Sequence, residues 1–146
     1  MILVHLLIGI IFGQIFGHYS FFIIGSILPD IDHLYLIVKN RSFGIKKIVR
    51  SIKFEKEFKL NYKTPLFHSL IAMIFFSFIV YIFNNLGAIF FGIAYMSHLL
   101  IDWVDIDIKY YLWPFRIKFK GFLPIWSKFE QVLTIVLLII ILVLFI

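Results

Sequence analysis

What most restricts the folds open to this chain is that its ionisable side chains are confined to a few breaks between long apolar runs. Residues 1–17 carry His5 as their single ionisable group, and residues 19–28, 66–83 and 88–104 are nearly as apolar. A final run of seventeen residues, 130–146, is uncharged after Glu130. Soluble domains are about 45–50% apolar, whereas 62% of these 146 residues are hydrophobic. The chain is therefore expected to be an all-α integral membrane protein, one membrane-embedded domain over 1–146. It should hold about four hydrophobic helices with a polar site at the cytoplasmic face. The Ile-, Phe-, Lys- and Asn-rich composition points to an A·T-rich prokaryotic genome, hence to a multi-pass protein of the inner (plasma) membrane.

The first run has neither the basic start nor the small-residue cleavage site of a signal peptide. His18-Tyr19-Ser20 interrupts it, and each piece is shorter than the ~20 residues of a standard span. A shallow hairpin or one long kinked helix would both accommodate this. The hairpin is favoured because it returns His5 towards Asp30, with His18 as a polar residue at the tip. Beyond residue 30 a short helix to 38 is expected, and then a strongly basic segment. Residues 39–63 contain nine Lys/Arg against Glu55 and Glu57, a local +7. Beside a membrane, such a segment reads as a cytoplasmic loop facing anionic headgroups. Within it, residues 44–60 suit a basic amphipathic helix on the lipid surface or a solvated loop. No recognisable nucleic-acid-binding motif accompanies the charge, so membrane lipid is the expected partner.

Residues 66–83 and 88–104 predict an antiparallel helical hairpin turning at 84–87. His68 at the start of one helix, and His98 and Asp102 at the end of the other, then share one end. The connector 105–128 mixes aromatic and basic side chains, a composition suited to headgroup level. Its Asp105 and Asp107 read as connector residues.

The chain has no Cys, which excludes thiolate chemistry and disulfides. Any metal must be held by His and carboxylates, a donor set for Zn²⁺, Mn²⁺ or Mg²⁺. Ionisable groups at a bilayer edge are costly and point to function. Asp30, Asp32 and His33 crowd four residues after Pro29. Pro29 favours an extended Leu28 and a helix start after it, where one Asp would be a plain N-cap. His98 and Asp102 have i,i+4 spacing and project from one helix face. The candidate ligands are thus His5, Asp30, His33, His68, His98 and Asp102, with Asp32 and Asp102 as catalytic candidates. Either Asp32 or His33 would suffice as a ligand, the other orienting it. His5 suits packing as well as ligation, and His68 suits an interfacial role as well.

Four motifs, Gly-Ser-Ile-Leu-Pro-Asp-Ile-Asp-His (25–33), Phe-His-Ser (67–69), Ser-His-Leu-Leu-Ile-Asp (97–102) and Leu-Trp-Pro-Phe (112–115), occur in this order. Together they resemble a family of inner-membrane-associated metal-dependent hydrolases, often labelled LexA-binding or LexA-regulated. The resemblance implies that Asp30, Asp32 or His33, with His68, His98 and Asp102, bind the metal. A remoter similarity is to zinc-dependent phospholipase C and the P1 nuclease, which also use a His-x-x-x-Asp helix. The chain departs from the family where His-Arg-Gly-x-Thr-His-Ser becomes Lys63-Thr64-Pro65-Leu66-Phe67-His68-Ser69. It thereby lacks an arginine suited to a bidentate phosphate clamp. The expected function is metal-dependent hydrolysis of a phosphoester or other ester near the cytoplasmic face. Its rivals are a non-catalytic protein with a structural metal or self-paired His/Asp cluster, and a membrane-tethered binding module.

Overall fold

A computed structural model describes residues 1–31, 64–124 and 127–146. The expected helix after residue 31, the basic segment 39–63, Asp32, His33 and Trp126 lie outside the described residues. Five α-helices stand among those described: α1 (Ile2–Phe16), α2 (Tyr19–Ile27), α3 (Leu70–Phe83), α4 (Asn85–Trp103) and α5 (Lys128–Leu144).

The first apolar run is a hairpin, not a kinked helix. Gly17 (φ 72°) and His18 (φ 60°, ψ 40°) reverse the chain in two residues, a conformation that glycine adopts without steric cost. The His18 ring stacks on Phe90 of α4, with centroids 4.8 Å apart. At 1.5 Å rise per residue α1 is about 22 Å long and α2 about 14 Å, both short of the ~30 Å hydrocarbon core. Gly9 lets the two helices touch, since a Cβ there would lie 3.0 Å from the Phe22 carbonyl oxygen.

Leu28 departs from expectation. Pro29 should have made it extended, yet it stays helical (φ −53°, ψ −38°) with its N–H on the Ile24 carbonyl. Pro29 instead tightens the end of α2 into a 3-10 turn, Leu28–Asp30, a first-turn position that proline tolerates. Asp30 ends this turn, and its buried carboxylate faces two histidines; its expected N-cap role towards the helix that follows lies outside the described residues.

α3 starts at Leu70, four residues later than the apolar run suggests. Ser69 is its N-cap, accepting from the Ala72 N–H at 3.2 Å, and the Leu70 N–H donates to the Tyr111 carbonyl at 2.9 Å. The turn between α3 and α4 contracts from four residues to Asn84 alone. Its N–H closes α3 on Val80, while its side chain accepts from the Gly87 N–H at 2.7 Å to open α4.

α4 is the centre of the packing, with α2 against it on one side and α3 on another; α1 lies between α2 and α5. Among the described residues it is the one helix long and apolar enough to cross a membrane. α5 runs parallel to α1, joined near one end by Met1 N to Glu130 (3.5 Å) and near the other by Gln14 Nε2 to the Leu144 carbonyl (3.3 Å). After α4 the chain forms a two-residue antiparallel ladder, β1 (Ile108–Lys109) with β2 (Phe119–Lys120). With an isolated bridge between Asp105 and Leu123, this ladder is the departure from an all-helical architecture among the described residues.

Candidate metal centre

The centre is built on the last turns of α4. His98 and Asp102 lie one turn apart and are 0% and 1% exposed. α2 approaches this face closely because residue 25 is glycine: a Cβ there would lie 2.9 Å from the Ala94 Cβ. Three residues after Ser26, Pro29 has no N–H to offer its carbonyl. That carbonyl instead accepts from His98 Nδ1 at 2.7 Å. A carbonyl can only accept, so Nδ1 carries the hydrogen, and a neutral His98 presents the lone pair of Nε2 to the site. Nε2 is itself buried without a hydrogen-bond partner.

His68 enters from the turn before α3. The following Ser69 is doubly held, with its Oγ donating to the Leu66 carbonyl at 2.6 Å and accepting from Ala72. His68 Nε2 lies 3.5 Å from Asp102 Oδ2 and 3.7 Å from Asp30 Oδ1. His98 Nε2 lies 3.7 Å from Asp102 Oδ2 and 3.8 Å from Asp30 Oδ1. Direct hydrogen bonds are shorter than this. The edges of a tetrahedron around an ion with ligand bonds of 2.0–2.2 Å measure about 3.3–3.6 Å. These four histidine-to-carboxylate separations are therefore close to the edges a small divalent cation would set, and the donors' chemistry fits one.

His5 occupies a different position. Its Nε2 lies 3.2 Å from Asp102 Oδ1, the oxygen not directed at His68 and His98. Its ring stacks on His98 with centroids 3.7 Å apart and planes at 23°. Two overlapping groups are thus close enough to share an ion: Asp30, His68 and His98, and His5, His98 and Asp102. The structure brings together five of the candidates, His5, Asp30, His68, His98 and Asp102. Asp32 and His33 fall outside the described residues.

Sequence reasoning missed several supporting groups. Ser26 acts through its carbonyl, for which no side-chain signal exists. Asp105, read from the sequence as a connector residue, is buried, and the buried Lys109 donates from Nζ to the Asp105 carbonyl at 3.0 Å. Their i,i+4 spacing was the available clue. Tyr111 donates to the Leu99 carbonyl at 2.9 Å while its own carbonyl holds the start of α3. Burial, then the carboxylates of Asp102 and Asp105, push its phenol well above the usual tyrosine range. It is accordingly a neutral donor that fastens the connector to α4. Tyr111→Phe should lower stability by about 1 kcal/mol, the net worth of such a bond, without changing metal content; thermal unfolding and elemental analysis would check both.

Neither a curated protein nor a solved structure matches the chain. A family model described as the YdjM inner membrane protein matches residues 1–146, its whole length, and joins the apolar runs and the buried His/Asp cluster to an inner-membrane setting. The chain belongs to the YdjM inner membrane protein family.

Proposed function

We propose that this protein is a multi-pass, membrane-embedded metal-dependent hydrolase acting on a phosphoester or other ester at the cytoplasmic face. The observation that carries the reading is that His68 and His98 each face both Asp30 and Asp102, with histidine-to-carboxylate separations of 3.5–3.8 Å. The cytoplasmic assignment rests on the excess of Lys and Arg in residues 39–63 and 105–128, following the positive-inside rule.

His98 decides the number of ions. Nδ1 is committed to the Ser26 carbonyl, so Nε2 has one lone pair and serves one ion. The two overlapping groups cannot each be filled. A single ion would be held by His68 and His98 with the carboxylates of Asp30 and Asp102 that face them, leaving His5 as the partner of Asp102 Oδ1. Zn²⁺ suits a set of two imidazoles and two carboxylates, with Mn²⁺ as the next choice. A divalent ion supplies Lewis acidity, polarising an ester or phosphoryl oxygen and making water acidic. His5 keeps Asp102 in one rotamer and holds a proton on the side of the carboxylate away from the ion. Asp32, two residues after Asp30, is the candidate general base.

A second reading has its own observation. All four donors are 5% exposed or less, the burial expected of a closed structural site. Elemental analysis of purified protein, combined with turnover of phosphomonoester, phosphodiester and lipid substrates in detergent, separates the two. One equivalent of metal with turnover is the expected result. One equivalent with no turnover on any substrate or metal leaves the structural ion, and no metal at all removes both.

A further inference from the structure

The connector after α4 is fastened to that helix at its last turn. The N–H groups of Phe122 and Leu123 donate to the Val104 carbonyl at 3.0 and 2.9 Å, and that of Gly121 donates to the Asp105 carbonyl at 3.0 Å. The Ile106 N–H in turn donates to the Leu123 carbonyl at 2.8 Å. Residue 121 must be glycine for this approach, because a Cβ would overlap the carbonyl oxygens of Trp103 and Val104. The β1–β2 ladder and the loop between its strands therefore form a flap that cannot move away from the end of α4. An apolar helix of 19 residues is long enough to cross the hydrocarbon core, and such a crossing would hold the flap at the depth of the headgroups.

The surface it presents there has two parts. Arg116, Lys118 and Lys120 are all exposed and alternate with Ile117 and Phe119. Phe119 packs on Tyr111, with centroids 5.4 Å apart, so its neighbours Lys118 and Lys120 project to the opposite side. Flanking this basic row along the chain are Phe115 and Phe122, 69% and 78% exposed, and the partly exposed Trp113. No acidic residue occurs from 108 to 124.

We infer that the flap is a binding surface for anionic phospholipid, its aromatic side chains entering the acyl boundary and Arg116, Lys118 and Lys120 meeting lipid phosphates. A soluble anion would satisfy the cations and leave Phe115 and Phe122 in water. A zwitterionic leaflet would cover the aromatics and give the basic row no net partner. Anionic lipid satisfies both. The inference rests on the position of the end of α4 and is independent of the metal centre.

The test uses the full chain reconstituted in phosphatidylcholine vesicles containing a minority of phosphatidylglycerol, with spin-labelled lipids reporting which headgroup the protein retains. Wild-type protein should prefer phosphatidylglycerol. Arg116→Gln, Lys118→Gln and Lys120→Gln should each reduce that preference by up to about fivefold, the effect of one basic side chain near an anionic surface. Equal preference in wild type and the triple variant overturns the inference. So does loss of the preference on adding inorganic phosphate at constant ionic strength, which would assign the cations to a free anion. A second measurement leaves the basic row intact: with Trp103→Phe and Trp126→Phe, the fluorescence of Trp113 should be quenched by lipid brominated high on its acyl chains. Unquenched, water-like emission overturns the inference independently.

Discussion

His98→Ala is expected to take bound metal to background and, with it, to lower turnover by about a thousandfold or more, the several kcal/mol that a Lewis acid contributes to such a reaction. No other side chain in the cluster has as many roles. His98 offers Nε2 to both carboxylates, fixes its own tautomer on the Ser26 carbonyl and supports the His5 ring. His5→Gln should behave differently. Glutamine retains an N–H donor for Asp102 Oδ1, so one equivalent of metal should remain, bound about 10–100-fold more weakly, as when an outer partner of a ligand is altered. Metal titration of the two variants, with circular dichroism to establish that the helices persist, makes the comparison. Equal loss of metal in both would make His5 a direct ligand and overturn the single-ion assignment.

The second large effect is expected from a residue with no side chain. Gly25→Val places a branched side chain against the Phe91 carbonyl and the Ala94 methyl, pushing α2 away from α4. Overpacking of this kind costs about 1–3 kcal/mol. Its specific consequence is that the Ser26–His98 bond lengthens and Asp30 leaves the cluster. Metal should therefore be lost although every candidate ligand is unchanged. Gly92→Ala is the matched control on α4, because its Cβ would meet only Ser77 Oγ, at 3.2 Å, and should leave both metal content and thermal stability near wild type. Full metal occupancy in Gly25→Val would show that α2 does not position Asp30.

Both expectations rest on features of unequal visibility in the sequence. The reversal at Gly17 and His18 was legible, because a polar break between two runs too short to span leaves few alternatives. So was the convergence of His68 with His98 and Asp102 at one end, which follows from the antiparallel order of two apolar helices. Helix boundaries were less legible. Leu66 and Phe67 look helical by hydropathy, but the Ser69 cap and the contact of Leu70 with Tyr111 set the start of α3. The latter is a tertiary bond between residues 41 positions apart, invisible to local pattern. Leu28 misled for a related reason: the preference of a residue before proline is local, and it yielded to the continuous α2 turn that carries Asp30 inward. The division of labour between the oxygens of Asp102 was not legible, since spacing specifies a face but not which lone pair meets which ring. The burial of Lys109, which donates to the Asp105 carbonyl, was signalled only by its i,i+4 spacing from Asp105.

The single non-helical residue between α3 and α4 has a consequence for biogenesis. With Asn84 alone at the turn, no slack separates the two helices, and in the proposed multi-pass arrangement they would enter the bilayer as one unit. α3 contains no charged side chain and α4 carries a histidine and an aspartate near its end. A lone α4 would meet lipid with both exposed, a cost of a few kcal/mol for the aspartate if it were centred in the bilayer. Coupled to α3 in that arrangement, it would be drawn in by an apolar partner, and its polar end would halt at the interface. A flexible insert at residue 84 should thus cut the yield of membrane-integrated protein while leaving every residue of the cluster in place.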